Sequence, residues 1–398
     1  MAKDNFFTGQ PVFNQLLQLI PKHIIRDVSR QHQSNRYYKR FRTYEHLVTM
    51  LYTSFHGCKS LREVITGMMA CTTRINHLGI DYIPRRSTLA EANANRPETV
   101  FGDLYHRLYA HFYPDSRLLT KLEKRLFIFD STTISLFSEV MKGSGQIPAG
   151  RRKGGAKAHI LMKADEDVPR FVCLTEAKEN HNIFPPMINL PEHSIVTFDR
   201  IYYGFKPLIK WTHATVTWVT RMHPLVAYTV LKSKQIPPDQ KQKGVIADEH
   251  IRAGALKRKD KMQARRIIYQ DPVSGKELIF LTNNNRMKAI TIANIYKQRW
   301  QIECLFKRLK QNYPLKYFLG ETQNAIKIQI WCALITDLLI KIVKDKVKRK
   351  WAFSNIASII RLHLMTYINL IKFLQNPEKA LNAYCPPHYC YQPSLFPT

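Results

Sequence analysis

RLFIFDSTTISLF, residues 125–137, is a run of aliphatic, aromatic and β-branched side chains interrupted by a single carboxylate, Asp130. Such a run reads as a buried strand. A carboxylate at the end of an apolar strand is costly unless something pairs with it. A second run, HSIVTFDRIYY (193–203), repeats the arrangement, apolar up to Asp199. For either Asp alone, a helix cap or an Asx turn is an adequate account. Two in the same setting raise the question of a shared partner.

The rhythm differs on either side of these strands. Residues 1–118 read as helices, with FNQLLQLIP, YEHLVTMLYTSFHG and SLREVITGMMACTTRINHLG placing apolar residues at i, i+3, i+4 and i+7 between Gly or Pro stops. Ser60 stands three residues before Glu63, the spacing of a capping box. Residues 119–224 hold further short strands, among them AKAHILMKAD, RFVCLTEAK and TVTWVTRMH, with a helical GFKPLIKWTHA between them, which predicts an α/β layered domain. Residues 225–285 contain strand-like pieces around a segment dense in Lys and Arg, which reads as a β-rich insertion with a basic surface. Helical patterns return over 286–345 and 346–398.

Within the returning helices, YKQRWQIECLFKRLKQN (296–312) sets one acid, Glu303, among Lys and Arg. At about 100° per residue, a single helix from 287 to 312 brings Tyr296, Arg299, Glu303 and Lys310 into an arc of about 60°. Ile295, Ile302, Leu305, Phe306 and Leu309 fill the adjoining sector and would anchor the helix. Two strand-end carboxylates and one from a packed helix form the oxygen donor set that Mg²⁺ takes, together with water and phosphate oxygens. A pair of such ions serves in-line phosphodiester displacement, and cations around the third acid would contact phosphates.

Composition agrees with a polyanionic partner: 61 Lys and Arg against 30 Asp and Glu give a formal charge of +31. A membrane is the weaker candidate. No signal peptide is apparent, and the longest apolar stretch, residues 328–343, is short and carries Asp337 and Lys341, as expected of a buried helix. Seven cysteines without paired spacing read as reduced thiols in the cytoplasm. Cys385, His388 and Cys390 offer three zinc ligands without a fourth, so a terminal tail is the preferred reading. RRKGGAKAH (151–159) lacks the Lys-Ser/Thr pair of a P-loop, so no nucleotide cofactor is implied. It reads as a hairpin approach, with Arg151, Arg152 and Lys153 as DNA contacts; Lys257, Arg258 and Lys259 join them from the basic segment. His159, His181 and His213 have no companions at ligand spacing and read as structural or DNA-facing.

At Tyr296, Arg299, Glu303 and Lys310 the sequence resembles the IS4-type DDE transposases of bacterial insertion sequences, whose signature has these residues at this spacing. DSTTI at Asp130 and TFDRIYY at Asp199 resemble the family's first and second acid motifs, with Ile201 where a Gly is frequent. The resemblance implies an RNase H-like catalytic core split by the 225–285 insertion and preceded by a small DNA-end-binding helical domain. It implies Asp130, Asp199 and Glu303 as catalytic Mg²⁺ ligands, with Mn²⁺ as a substitute. Tyr296, Arg299, Lys310 and Arg200 would hold phosphates. The partners implied are terminal inverted repeats, target DNA and a second copy of the chain in the synaptic complex, and the location is the bacterial cytoplasm at the nucleoid. Cleavage at the element's ends would be followed by strand transfer, in some members through a hairpin. An aromatic residue of the insertion would then hold a flipped base, and the candidates are Tyr228, Tyr269 and Phe280. A structure-selective nuclease or resolvase would share the three acids, whereas a domesticated DNA-binding descendant would be expected to have lost one.

Overall fold

The computed structural model describes residues 6–114, 125–135, 155–254 and 261–379. Along the chain run α1 (Val12–Leu17), α2 (Lys22–Gln31), α3 (Thr43–His56), α4 (Leu61–Ala70), α5 (Thr72–Ile75), α6 (Arg86–Asn95) and α7 (Thr99–Phe112). The strands and helices β1 (Leu126–Ser135), β2 (Gly155–Lys163), β3 (Pro169–Glu176), α8 (Phe184–Met187), β4 (Ile195–Phe198), α9 (Phe205–His213) and β5 (Thr217–Arg221) follow. Then come β6 (Tyr228–Ser233), α10 (Pro238–Gln242), β7 (Val245–Ala253), β8 (Met262–Gln270) and β9 (Glu277–Thr282). Last are α11 (Ala289–Lys297), α12 (Trp300–Asn312), α13 (Gln323–Lys346), α14 (Phe353–His363) and α15 (Leu370–Gln375).

The chain forms two compact units, one of Met1–Pro114 with Arg308–Thr398 and the other of Asp115–Lys307. This division departs from the five-part layout read from the sequence. In the helical unit, α13 packs against α3, α6, α7 and α14, so the part of 286–345 beyond Arg308 joins the N-terminal helices. The apolar run that could have suggested a membrane is this buried helix. Among the described residues, no helix is long and apolar enough to cross a membrane. Asp337, 1% exposed, takes a bidentate pair from Arg308 (2.9 and 3.1 Å) and the Tyr313 hydroxyl (3.2 Å), which is how an acid survives in that helix. Ser60 caps α4 by accepting from the Glu63 N–H, while Glu63 reaches back to the Lys59 N–H, one residue short of a full capping box.

The second unit is built on one nine-stranded sheet in the order β3-β2-β1-β4-β5-β9-β8-β7-β6. β1, β2 and β3 form an antiparallel meander, and β4 and β5 run parallel to β1. The β4–β5 connection crosses over through α9, as parallel neighbours require. β9 pairs antiparallel with β5, so the β6–β9 segment extends the same sheet. Alternation of side chains gives the sheet two apolar faces. Phe127, Phe129, Val196 and Phe198 point to the face closed by Leu208 and Trp211 of α9. Leu126, Ile195 and Val219 point to the other, closed by Ile292, Ala293, Ile295 and Tyr296 of α11.

The basic insertion is less open than its composition suggests. Arg265, 3% exposed, makes a bidentate pair with Asp248 (2.6 and 2.7 Å), and Arg266 pairs with Glu249 at 2.7 Å. In the strand register Glu249 stands directly opposite Arg266, whereas Asp248 reaches Arg265 diagonally on the other face of β7 and β8. Lys257, Arg258, Lys259, Arg151, Arg152 and Lys153 lie outside the described residues, as do Cys385, His388 and Cys390.

Candidate active site

Asp130 and Asp199 share the parity of Leu126 and Ile195, so both belong to the α11 face of the sheet. β1 and β4 are parallel with Phe129 level with Phe198, which sets the two acids level on adjacent strands. Asp199 follows the end of β4, but Asp130 lies in the middle of β1, not at the strand end expected from sequence, because β1 continues to Ser135 in its pairing with β2. Asp199 also serves as the cap considered from sequence: its Oδ1 accepts from the Ile201 N–H at 3.0 Å and starts a 3-10 turn over Arg200–Tyr202. Capping uses one oxygen; the other has no hydrogen-bond partner among the described residues.

The third acid arrives differently from the expected single helix. The helix breaks after Lys297, and Arg299, Gln301 and Ile302 donate to residues three positions back, a 3-10 geometry that tightens the chain between α11 and α12. The 60° arc therefore does not run unbroken from Tyr296 to Lys310. Glu303 falls in the first turn of α12, where the helix dipole favours a carboxylate. Ile295, Ile302, Leu305, Phe306 and Leu309 are all buried, as the pattern predicts.

The break places Arg299 between two of the acids. Its Nη1 donates to Asp130 Oδ2 at 3.1 Å and its Nη2 to Glu303 Oε1 at 2.6 Å, and its side chain is 15% exposed. Asp130 Oδ1 accepts from the Ser131 N–H at 2.8 Å. Burial pushes the Asp130 carboxyl up to about 6, the Ser131 N–H and the Arg299 guanidinium pull it back, and the charges of Asp199 and Glu303 push it further up. Asp199 and Glu303 thus both act electrostatically on Asp130, which shares Arg299 with Glu303.

A divalent cation fits this set in chemistry: the donors are hard oxygens, their charges repel, and a positive group already lies between two of them. Among the described residues no group of three or more His, Cys, Asp or Glu is arranged to hold a metal. The guanidinium of Arg299 takes the bridging position between Asp130 and Glu303, so a cation shared by these carboxylates requires Arg299 to turn away.

The expected phosphate holders separate. Tyr296 is 7% exposed, its ring packs on Phe280 at 5.1 Å between centroids, and the Arg299 guanidinium lies over it at 5.7 Å. Burial raises its hydroxyl above the ordinary range, with Arg299 opposing and Asp199 adding to the rise. Arg200 is half-buried in the turn that Asp199 caps. Lys310 is exposed on α12 and belongs to the helical unit that begins again at Arg308.

Sequence reasoning named His159 and His181 as structural or DNA-facing but did not group them with Lys157 and Ser131 on the opposite face. His159 lies across from Ser131 in the β1–β2 register, is fully buried, and stacks on Phe184 at 5.2 Å. Burial pushes it down to about 4, aided by the positive charges of Lys157 and His181. His181 Nδ1 lies 3.2 Å from Ser131 Oγ, and burial lowers it too, with Lys157 reinforcing and Asp199 opposing. Lys157 is 4% exposed and donates to the Glu179 carbonyl at 2.5 Å. The strand period could have placed Lys157, His159 and Ser131 on one face; nothing local marks His181. Of the insertion's aromatics, Tyr269 and Phe280 are buried in the sheet core, and Tyr228, 40% exposed, has Arg266 over its ring at 4.9 Å.

Residues 121–338 match the family described as transposase DDE domain, and residues 8–81 match a domain of unknown function. A Sinorhizobium fredii protein named as a transposase is 30% identical over 266 residues, covering 65% of this chain and 71% of that one. A Geobacillus stearothermophilus protein named as a transposase for insertion sequence element IS5377 is 23% identical over 267 residues, covering 66% and 68%. A Synechocystis protein named as a transposase for insertion sequence element IS4SA is 22% identical over 259 residues, covering 65% and 71%. A piggyBac transposase synaptic complex with hairpin DNA aligns over 95% of this chain and 81% of that one. Its 11% identity and TM-score of 0.44 are too distant to carry an inference.

Proposed function

The chain belongs to the DDE transposase family, and from that premise we propose that Asp130, Asp199 and Glu303 are its three catalytic acids, acting on phosphodiester bonds at the ends of an insertion sequence. The observation that carries this assignment is the Arg299 bridge from Asp130 to Glu303, beside an Asp199 level with Asp130 on the neighbouring parallel strand. The strand order β3-β2-β1-β4-β5, antiparallel through β3, β2 and β1 and parallel from β1 to β5, supports an RNase H-like core, with β6–β9 as the insertion before the third acid. The Tyr296, Arg299, Glu303 and Lys310 spacing supports the IS4-type branch.

Asp130, Asp199 and Glu303 would hold divalent cations, Mg²⁺ with Mn²⁺ as a substitute. When bound, these ions activate the attacking water or hydroxyl and stabilise the leaving oxygen. The protein's own part would be to hold the carboxylates on β1, after β4 and in the first turn of α12, and to deliver a guanidinium to the scissile phosphate. Arg299 pairs with two acids, one through each terminal nitrogen, and would exchange them for phosphate oxygens when DNA enters, a swap that the guanidinium fork permits. Tyr296 backs Arg299 with its ring and limits where the guanidinium can turn. Arg200 is placed beside the second acid and Lys310 further along α12 as additional phosphate contacts.

The reaction proposed is metal-dependent cleavage at the terminal inverted repeats followed by strand transfer into target DNA. The helical unit would recognise the ends, and two copies of the chain would pair them, in the cytoplasm at the nucleoid. Tyr228 is the insertion aromatic exposed enough to stack on a flipped base, should a hairpin form. The test incubates the purified protein with its flanking terminal-repeat DNA and Mg²⁺ or Mn²⁺, alongside Asp130→Ala, Asp199→Ala and Glu303→Ala. Each variant should lose cleavage by at least about 10³-fold while still binding DNA, as expected when charge stabilisation at the reacting phosphate is removed. Variants that cut as well as the parent overturn the assignment. Strand-transfer or hairpin products on a denaturing gel separate this reaction from that of a simple nuclease.

A further inference from the structure

We propose that the groove between α2 and α3 binds the phosphate backbone of double-stranded DNA. The inference rests on the transposase reading above and adds a surface in the part of the chain that matches a domain of unknown function.

Lys22, Arg26 and Arg30 follow one another at four-residue steps on the exposed face of α2. The opposite face, Ile24 and Val28, is buried, so packing fixes the direction of the stripe. Beside the stripe lies a cavity of about 710 Å³ lined also by Arg36, Arg42, Asn35 and Tyr44. Arg42 continues into an adjoining cavity of about 570 Å³ that adds Lys39 and Arg40. The first cavity thus has five cations on its wall and one carboxylate, Glu45. Among the described residues, Arg26 alone of the five has an acidic partner, Asp27 at 3.6 Å, and both are solvent-exposed.

Two further observations point to a ligand. Ser29 is 6% exposed and lines the cavity, yet its hydroxyl has no hydrogen-bond partner. A buried unpaired hydroxyl costs free energy that an incoming phosphate oxygen would offset. The loop carrying Arg36, Lys39 and Arg40 is also fixed from beneath. Arg96, fully buried, donates to the carbonyls of Ser34 and Phe41 (3.3 and 2.8 Å), and Asn35 accepts from the Thr43 N–H at 2.8 Å. The groove is therefore held open in place before any ligand arrives.

Linear spacing favours a polymer over a small anion. Lys22 to Arg30 spans about 12 Å along the helix axis, the rise of three to four phosphates at about 3.4 Å per strand position. Arginine dominates the wall, and its fork suits phosphate oxygens better than a lysine point charge does.

The test measures binding of the full-length protein to fluorescent terminal-repeat duplex between 50 and 300 mM salt. Arg26→Gln/Arg30→Gln should weaken binding about 10-fold or more and lower the salt slope by about 1.8, two contacts at about 0.9 each. Arg26→Lys/Arg30→Lys should keep the slope, which separates lost charge from lost fold. An unchanged slope in the Gln variant, with parent DNA binding intact, overturns the groove and leaves the catalytic reading standing. Stabilisation of the parent by ATP that the Gln variant lacks, with DNA binding unchanged, assigns the groove to a nucleotide and also overturns it. A parent that neither binds nor cuts DNA overturns the functional reading itself.

Discussion

Replacing Asp130 by Asn should make the metal-free protein more stable at neutral pH while abolishing cleavage. Asp130 sits 17% exposed with its carboxyl raised from 3.8 to about 6, burial being the largest cause. A carboxyl whose folded value lies above its unfolded one favours the protonated form in the native state. Its stabilising contribution is complete below about pH 4 and is lost as pH rises through about 6. A rise of about two units corresponds to roughly 3 kcal/mol between the two limits. Asn keeps a carbonyl oxygen for Arg299 and removes the charge that burial penalises, so at pH 8 in chelator the variant should gain up to about 3 kcal/mol. In a sheet unit of this size that is an upward shift of roughly 6–10 °C. Thermal and urea denaturation at pH 4, 6 and 8 with EDTA measure it, and the gain should vanish at pH 4. Adding Mn²⁺ should then raise the melting temperature of the parent more than that of the variant. A variant no more stable than the parent at pH 8, or equally stabilised at pH 4 and 8, refutes the claim that burial of the Asp130 charge destabilises the native state.

Arg299→Gln frees both acids, so in the absence of DNA Mn²⁺ should bind about tenfold more tightly, as read by calorimetry or electron paramagnetic resonance. DNA cleavage should fall by about 10²–10³-fold. Unchanged metal affinity would mean that the guanidinium does not compete for the site. Asp248→Asn leaves the buried Arg265 without its bidentate partner and should cost about 3–5 kcal/mol, seen as a lowered urea midpoint. The paired replacement Asp248→Leu/Arg265→Met should recover much of that loss, because it buries no unmatched charge. Ser60→Ala removes the cap of α4 and should cost about 1 kcal/mol without altering cleavage.

The strands of the second unit were readable because their runs are short, apolar and bounded by polar residues, and a strand buried on both faces keeps that signature. The two-unit division was not readable in the same way. The break in packing falls at Arg308, inside α12, where the helical pattern continues uninterrupted. What reassigns the rest of the chain is α13, whose nearly all-round apolar surface demands partners on several sides and finds them in α3, α6 and α7. Periodicity reports that a helix is buried, not which helices bury it. The Asp248–Arg265 and Glu249–Arg266 pairs were hidden for a related reason: a charge-rich segment reads as solvated until strand pairing brings opposite charges within reach, directly for Glu249 and Arg266 and diagonally for Asp248 and Arg265.

Local sequence and through-space geometry divide the work at the acids as well. Asp130 and Asp199 could be matched in advance, since each follows an apolar run whose alternation gives it the parity of a core residue, Leu126 or Ile195, although β1 itself runs on past Asp130 to Ser135. Glu303 could be placed on a helix with a buried face, but the angular argument assumed a helix that the chain breaks at Gln298 and Arg299. The consequence is chemical. An unbroken helix would have spread Tyr296, Arg299 and Glu303 along a stripe facing phosphate, with the cations available and the acids unneutralised. The break turns Arg299 onto Asp130 and Glu303 and drops the Tyr296 ring into the sheet core. Arg299 so placed opposes the rise that the charges of Asp199 and Glu303 produce at Asp130. On the proposed mechanism it would leave that position for a phosphate of comparable charge or when a divalent cation takes over its task, so the same arginine would tie readiness of the acids to the arrival of DNA.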